Sequence, residues 1–323
     1  MNLLTDFRKQ FDKEINSYLN KKIITAEKID KKGGVLYQVI KEFINNGGKR
    51  FRPAIFYFAY SSYSDKNLET ALKLSFIFEL FQGFALIHDD IIDKSDLRRG
   101  HPTVHKKYDL STAVLAGDLA LMLVDEIFSQ EINKSETIKI FNEFKQELLI
   151  GQYLDTIKIT DVNKIMELKT ARYSFIKPAM IAFSLAQVDK KETEKWEKIL
   201  NETGILFQMK DDLEGTLADE KILGKPTDSD IKEGKNTLLS EKFLERSNNL
   251  EKERFYKFFG KQNLRKEDFS WYKKTLVKYK IDKVFKEEII NRLTKVEKEL
   301  EFYFPDKQLT QLMKEIIIKL KDF

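Results

Sequence analysis

The sequence has no cysteine in 323 residues. Disulfides, thiolate nucleophiles and Cys-ligated zinc or iron–sulfur centres are thereby excluded. Proline, at 5, and glycine, at 13, are scarce. So few breakers cannot punctuate a many-stranded β fold, and they suit long helices with short connections. The 3 histidines, His88, His101 and His105, have no zinc-ligand spacing. No Ser/His/Asp arrangement stands out. The longest apolar stretch, near 76–92, is interrupted by Glu79, Gln82 and His88, so no clean membrane span is expected. The opening MNLLTDFRKQFDKEI mixes charges too early for a secretory leader, and the closing KLKDF carries no lipidation signal. A soluble cytoplasmic protein is the expectation.

Nor is there a block of one charge. The 57 basic and 52 acidic residues are interspersed and leave a net charge of +5. That pattern describes a solvated Lys/Glu surface and not a nucleic-acid interface. What the chain does have is phenylalanine, 25 of them, enough for a large core or an apolar pocket. The length is large for one ordinary domain, yet one helical bundle can use all of it. No linker, repeat or low-complexity tract interrupts it. The reading is a single all-α domain over residues 1–323.

Helical periodicity begins at 3–28, breaks at Lys32-Gly33-Gly34, resumes over 35–44 and stops at Asn45-Asn46-Gly47-Gly48. Pro53 fits the first turn of a helix over 54–60. Residues 68–93 are apolar on nearly every side, which predicts a buried central helix. Residues 98–103, with Gly100 and Pro102, read as a loop. Further helices are expected over 111–128, 136–156, 161–169, 171–186 and 192–217. A Gly- and Asp-rich loop over 219–235 precedes a charged helical remainder to Phe323.

Four clusters carry chemistry. In His88-Asp89-Asp90-Ile91-Ile92-Asp93, Asp89 and Asp93 share one helix face, with Gln82 on the same stripe. Buried carboxylates of like charge are costly unless cations neutralise them, and hard oxygens suit Mg²⁺ shared with phosphates. Arg98-Arg99-Gly100 offers planar forks for phosphate oxygens on a loop free to approach them. Gly47-Gly48-Lys49-Arg50-Phe51-Arg52-Pro53 joins glycines, cations and a helix start, a setting able to hold a diphosphate. Its spacing is not that of a nucleotide P-loop. Gln208-Met209-Lys210-Asp211-Asp212-Leu213-Glu214-Gly215 is a second acidic helical cluster, followed by Gly224-Lys225-Pro226 and Asp230. Lys169-Thr170 and Gln152 with Asp155 add polar groups inside apolar helices. Singly, each admits a bland reading: a solvated acidic helix end, surface arginines, a basic turn. Together, two acidic clusters and several cationic ones call for a polyphosphate with Mg²⁺ ions.

In this order the clusters resemble the trans-isoprenyl diphosphate synthase family. GGKRFRP, ELFQGFALIHDDIIDKSDLRRGHPT, KTARYSF, FQMKDDLEG and GKPTDSDIKEGKNTLL carry the resemblance, over 47–238. It implies a large helical bundle of the isoprenoid synthase type with a central substrate cavity. It implies condensation of isopentenyl diphosphate with an allylic diphosphate to a C15–C20 trans product, geranylgeranyl diphosphate favoured over farnesyl. It also implies a homodimer and three Mg²⁺ ions per site. By this resemblance Asp89 and Asp93 hold two ions, while Asp211 and Asp230 hold a third with Asp212 close by. Arg98, Lys169 and Lys225 contact the allylic diphosphate. Lys49, Arg52, Gln82 and Arg99 bind isopentenyl diphosphate, and Thr170 and Gln208 line the allylic C1 region. Phe84 and Ala85, roughly 6–8 Å below Asp89 on the helix, set the depth of the tail pocket, with Phe81 a second stop.

The second acidic cluster departs from the family pattern. Gly215 stands where a third carboxylate is usual, and Glu214 is the nearest stand-in. Two other readings compete. A class I terpene cyclase would share the first acidic motif but has no use for GGKRFRP and RRG. A non-catalytic subunit of a heteromeric synthase would usually lose the first acidic motif, which this chain keeps. A plain helical scaffold leaves the acidic residues in greasy helices without a reason.

Overall fold

A computed structural model describes residues 2–157, 161–218 and 227–323, and they are overwhelmingly helical. The chain divides into two compact units. One comprises Met1–Phe141, Pro178–Asp189 and Asp306–Glu315, the other Asn142–Lys177, Lys190–Pro305 and Ile316–Phe323.

The first unit contains α1 (Leu3–Glu27), α2 (Val35–Asn45), α3 (Phe51–Ser61) and α4 (Leu68–Ile92). A hairpin of β1 (Leu97–Arg98) and β2 (His101–Pro102) follows, then α5 (Val104–Lys107) and α6 (Leu110–Glu131). On α1, Leu4, Phe7, Phe11, Ile15 and Leu19 recur at helical spacing and are all buried. Asn2 caps this helix by accepting from the Thr5 amide, and Glu315 accepts the Leu3 and Leu4 amides at 2.7 and 3.0 Å. At its centre α4 packs along α3 and α6, with Phe78 against Phe56 and Phe76 edge-on to Phe11. This helix is long and apolar enough to cross a membrane, but 72% of its apolar window is buried, so protein covers it.

The residues read as a loop at 98–103 form a two-residue hairpin instead. Arg99 and Gly100 both have positive φ, 54° and 78°, the backbone a tight type I′ turn needs. Arginine at such a position carries no loop signature, which is why composition alone does not show the turn.

The second unit holds part of α7 (Ser135–Thr156), then α8 (Val162–Met166) and α10 (Lys190–Leu217). Next come α11 (Ser229–Glu233), α12 (Leu238–Arg246), α13 (Asn249–Phe258), α14 (Lys266–Lys278) and α15 (Ile281–Tyr303). In the chain, α9 (Lys177–Ala186) lies between the π-helix described next and α10 and belongs, from Pro178 on, to the first unit, while α16 (Gln308–Lys321) belongs to the first unit up to Glu315 and to the second beyond it. Capping boxes at Thr237/Ser240 and Asn248/Glu251 start α12 and α13. Trp196 stacks on Phe304 at 4.2 Å.

The helices expected over 161–169 and 171–186 are drawn differently. After α8 the chain winds as a π-helix over Glu167–Ile176 before α9 begins. This wider turn lies against α10 and comes close to α7: a Cβ on Gly151 would stand 3.0 Å from Leu168 Cβ and Lys169 Cγ. Segments of this kind concentrate at functional sites.

Gly204 is where α10 meets the π-helix most tightly, since a Cβ there would lie 2.5 Å from Ala171 Cα. Gly204→Ala should therefore lower stability by about 1–3 kcal/mol, the scale of overpacking. In contrast Gly83→Ala, whose new Cβ would meet nothing nearer than Phe43 at 3.9 Å, should be neutral or stabilising. Urea midpoints of the two variants check this, and equal midpoints would contradict it.

Candidate active site

The first unit carries one set of the predicted site residues, on the C-terminal end of α4, the glycine loop before α3 and the hairpin. Asp89 and Asp93 are half-buried one turn apart, Asp93 being the C-cap of α4. Asp90, between them, is different. It is 1% exposed and accepts from Arg98 Nε at 2.8 Å and Nη2 at 2.6 Å. Burial pushes its carboxyl above the ordinary aspartate range, although Arg98 pulls the other way. Arg98, so anchored, brings Nη2 to 3.7 Å from Asp89. Its burial opposes the charge, yet Asp90, Asp89 and Asp93 hold the guanidinium more firmly protonated than usual.

Gly47 and Gly48 have φ of 114° and 137°, a backbone that other residues rarely adopt. They let two guanidiniums close in. A Cβ on Gly48 would lie 2.7 Å from Arg50 Nη1 and 3.4 Å from Arg99, and Arg99 donates to the Gly47 carbonyl. Arg99 is pressed below the usual arginine range by burial and by Arg50, Arg98 and Arg52, with Glu79 opposing. Arg50 is 3% exposed and donates to Asp12 at 2.8 Å, Glu79 at 2.6 Å and the carbonyls of Gly47 and Ile44. Lys49 is exposed beside the Phe51 ring, and Arg52 and Gln82 are half-buried. Arg50 answers Asp12 and Glu79, and Arg98 answers Asp90. Lys49, Arg52 and Arg99 add further positive charge, and such crowding favours a multiply charged anion.

Phe81 and Phe84 are both buried, with ring centroids 5.5 Å apart, while Ala85 is half-buried.

The second unit carries the other set. Thr170, on the π-helix, donates to Gln208 Oε1 at 2.5 Å, and Gln208 Nε2 donates to Asp212 Oδ1 at 2.7 Å. Lys169 Nζ donates to Asp155 Oδ2 at 2.5 Å. Asp230, on α11, lies against α10, its Oδ2 3.6 Å from where a Cβ on Gly215 would be. The fully buried phenol of Tyr272, on α14, is held protonated well beyond the usual range by burial, then by Asp230 and Asp212. Asp212 and Asp230 thus converge, with Asp211 the next residue along α10. Glu214, the nearest stand-in for the missing carboxylate, is paired with Lys210 at 3.1 Å. Lys210 also donates to the carbonyls of Lys319 and Asp322. Lys225 lies outside the described residues.

Sequence reading overlooked Asp90 as an anchor, Arg50 as a buried node and Tyr272 as a neighbour of the second cluster. Arg50 sits inside a motif already singled out, so a buried role was open to inference. Tyr272 is distant in sequence and gives no signal.

Among the described residues no three His, Asp or Glu side chains converge to hold a metal alone. Mg²⁺ does not require that, since one or two carboxylates with water and phosphate oxygens complete its octahedron. The donors Asp89 and Asp93, and Asp211, Asp212 and Asp230, are hard oxygens and fit it.

The family model for polyprenyl synthetase matches residues 34–276. A geranylgeranyl diphosphate synthase of Sulfolobus acidocaldarius is 35% identical over 260 residues, 76% of this chain and 78% of its own. A short chain isoprenyl diphosphate synthase of Methanocaldococcus jannaschii is 32% identical over 268 residues, 80% of each chain. Among solved structures, a geranylgeranyl pyrophosphate synthase from Corynebacterium glutamicum, complexed with isoprenyl diphosphate and magnesium, superposes with a TM-score of 0.87. It is 26% identical, and the match covers 99% of both chains.

The buried contacts of Arg50 generate a stability prediction. Arg50→Ala should cost about 3–5 kcal/mol by leaving Glu79 charged and buried without its partner. Double substitution with Glu79→Gln should recover part of that loss. Guanidinium denaturation of both variants provides the measurement, and a loss under 1 kcal/mol, roughly the worth of a surface pair, would contradict the burial argument.

Proposed function

The chain belongs to the polyprenyl synthetase family, and from that premise we propose that it joins isopentenyl diphosphate head to tail to an allylic diphosphate, with geranylgeranyl diphosphate as main product. It is a prenyltransferase of isoprenoid biosynthesis with the all-α isoprenoid synthase fold. The observation that carries the reading of the chemistry is the acidic pair on α4 beside converging guanidiniums, within one unit. A diphosphate with divalent cations answers both charges at once.

Mg²⁺, three ions in this reading, would be held by Asp89 and Asp93 and by Asp211 and Asp230 with Asp212, and would neutralise charge developing on the leaving diphosphate. Arg98, Lys169 and Lys225 grip the allylic diphosphate. Departure of that group leaves an allylic cation at C1, near Thr170 and Gln208. Lys49, Arg52, Gln82 and Arg99 hold isopentenyl diphosphate so that its double bond attacks as a positioned neighbour. The released diphosphate takes the final proton, so no protein nucleophile is required. Asp90 and Asp155 contribute by fixing Arg98 and Lys169, respectively, at 2.6 and 2.5 Å.

The buried Phe81–Phe84 pair supports a tail pocket that ends at C15 to C20, and half-buried Ala85 does not close it early. Along α6, Leu110, Val114, Leu115 and Met122 are exposed, Met122 at 65%, which supports a homodimer burying that face. We place this enzyme in the cytoplasm, with residues 1–323 acting as one functional domain.

Incubating the purified protein with isopentenyl diphosphate and each allylic starter, then sizing the products, tests the reading directly. The expected main product is C20, and C30 or longer would overturn the pocket assignment. Asp89→Ala should reduce turnover by orders of magnitude with an unchanged circular dichroism spectrum. Near-normal turnover would remove the metal role. Arg52→Ala should raise KM for isopentenyl diphosphate by at least about tenfold, the scale of one lost charged contact, and KM for the allylic substrate far less. Equal effects on both would argue against divided binding duties. Phe84→Ala should lengthen the product.

A further inference from the structure

Phe84 is held from behind. His88, one turn further along α4, presents its ring to Phe84 edge-on, with centroids 4.9 Å apart. Phe81, on the preceding turn, lies 5.5 Å away on the other side. The three rings form a row along one face of α4, with Phe84 confined in the middle. His88 is itself fixed by α6. Its Nε2 donates to the Val114 carbonyl at 3.2 Å and stands 3.8 Å from Asp118 Oδ1.

Between those two residues lies Gly117, and the His88 ring fills the space a side chain there would need. A Cβ on Gly117 would be 2.5 Å from His88 Cδ2, 3.2 Å from Cε1 and closer still to Nε2. Covalent Cβ atoms do not approach a ring that closely, so any residue larger than glycine requires the imidazole to shift. The imidazole cannot move without giving up the Val114 carbonyl and its edge contact with Phe84.

We propose that Gly117 and His88 determine product length by bracing Phe84, so that specificity depends on a helix that bears none of the acidic motifs. This rests on the elongation reading above, in which Phe84 ends the tail pocket. With His88 in place, Phe84 cannot turn along α4 and the tail stops. Without it, Phe84 has room to rotate and the same pocket accepts another isoprene unit. Growth beyond C20 tests this brace, because that further unit must displace the ring.

The test is product sizing for His88→Ala, Gly117→Ala, Phe84→Ala and the double variant His88→Ala/Phe84→Ala. The readout is the ratio of products longer than C20 to C20, which does not depend on total turnover. His88→Ala and Gly117→Ala should each raise that ratio by about tenfold, the discrimination a small change in an apolar pocket produces. The double variant should match Phe84→Ala alone, since the brace acts only through Phe84. His88→Ala keeps the test available if Gly117→Ala folds poorly. If Phe84→Ala lengthens the product while His88→Ala leaves it at C20, the brace is overturned and the pocket floor stands. If Phe84→Ala also leaves C20, the floor assignment itself fails and the brace with it. A double variant that lengthens the product beyond Phe84→Ala would show His88 acting independently, which likewise overturns the proposal.

Discussion

Arg50 is the contact on which the cationic cluster of the first unit depends. A guanidinium that is 3% exposed needs every donor answered, and this one reaches four groups. Asp12 belongs to α1, Glu79 to α4, and the Ile44 and Gly47 carbonyls to the end of α2 and the loop after it. One side chain therefore fixes three helices and the loop that presents Lys49 and Arg52. Lysine could not replace it, because a single ammonium lacks the planar fork that satisfies partners in four directions. The charge is held inside by geometry, and that geometry aims the neighbouring cations outward.

The same division of labour recurs at three of the proposed ligand-binding groups, Arg98, Lys169 and Gln208, each of which has a more buried partner that sets its direction. Asp90 fixes Arg98, Asp155 fixes Lys169, and Thr170 with Asp212 clamps Gln208 from both ends. Groups that must grip a diphosphate need this, because a flexible arginine or lysine would otherwise lose rotamer freedom at each binding event. It also separates two kinds of aspartate within one motif. Asp89 and Asp93 stay half-buried, whereas Asp90 is withdrawn and paired with Arg98.

This distinction marks the limit of what the sequence discloses. Helices are legible because apolar periodicity and glycine stops are local, and the long helices begin and end close to where those signals place them. The acidic and basic clusters are legible for the same reason. Their order in the chain resembles a known family, and the matching family model and relatives agree. Asp90 looks like its neighbours in sequence, and only its burial separates them. The π-helix at Glu167–Ile176 has no periodic signature, since it arises from contact with α10 and the bare surface of Gly151. Glu214 appears to a linear reading as a spare carboxylate. Its pairing with Lys210 is a local i,i+4 contact, but the further engagement of Lys210 with the Lys319 and Asp322 carbonyls is a tertiary fact.

Glycine is scarce here, and several of its 13 positions are close approaches rather than turns. Gly48 admits Arg50 and Arg99, Gly151 admits the segment bearing Lys169, Gly204 admits the segment bearing Thr170, and Gly117 admits His88. In each case the missing Cβ lets a neighbouring segment approach closely: the Arg50 guanidinium at Gly48, Leu168 and Lys169 at Gly151, the backbone of Ala171 at Gly204, and the His88 ring at Gly117. Three of these four glycines lie within helices, where glycine is intrinsically unfavourable by about 0.5–1 kcal/mol relative to alanine. That cost is tolerated only where the approach gains something a smooth helix surface cannot give. Gly215 differs from this set. A Cβ there would meet Asp230 at an ordinary 3.6 Å, so no steric demand keeps the position bare. A carboxylate there would be a fourth negative charge beside Asp211, Asp212 and Asp230, and would raise their mutual repulsion whenever no cation is bound.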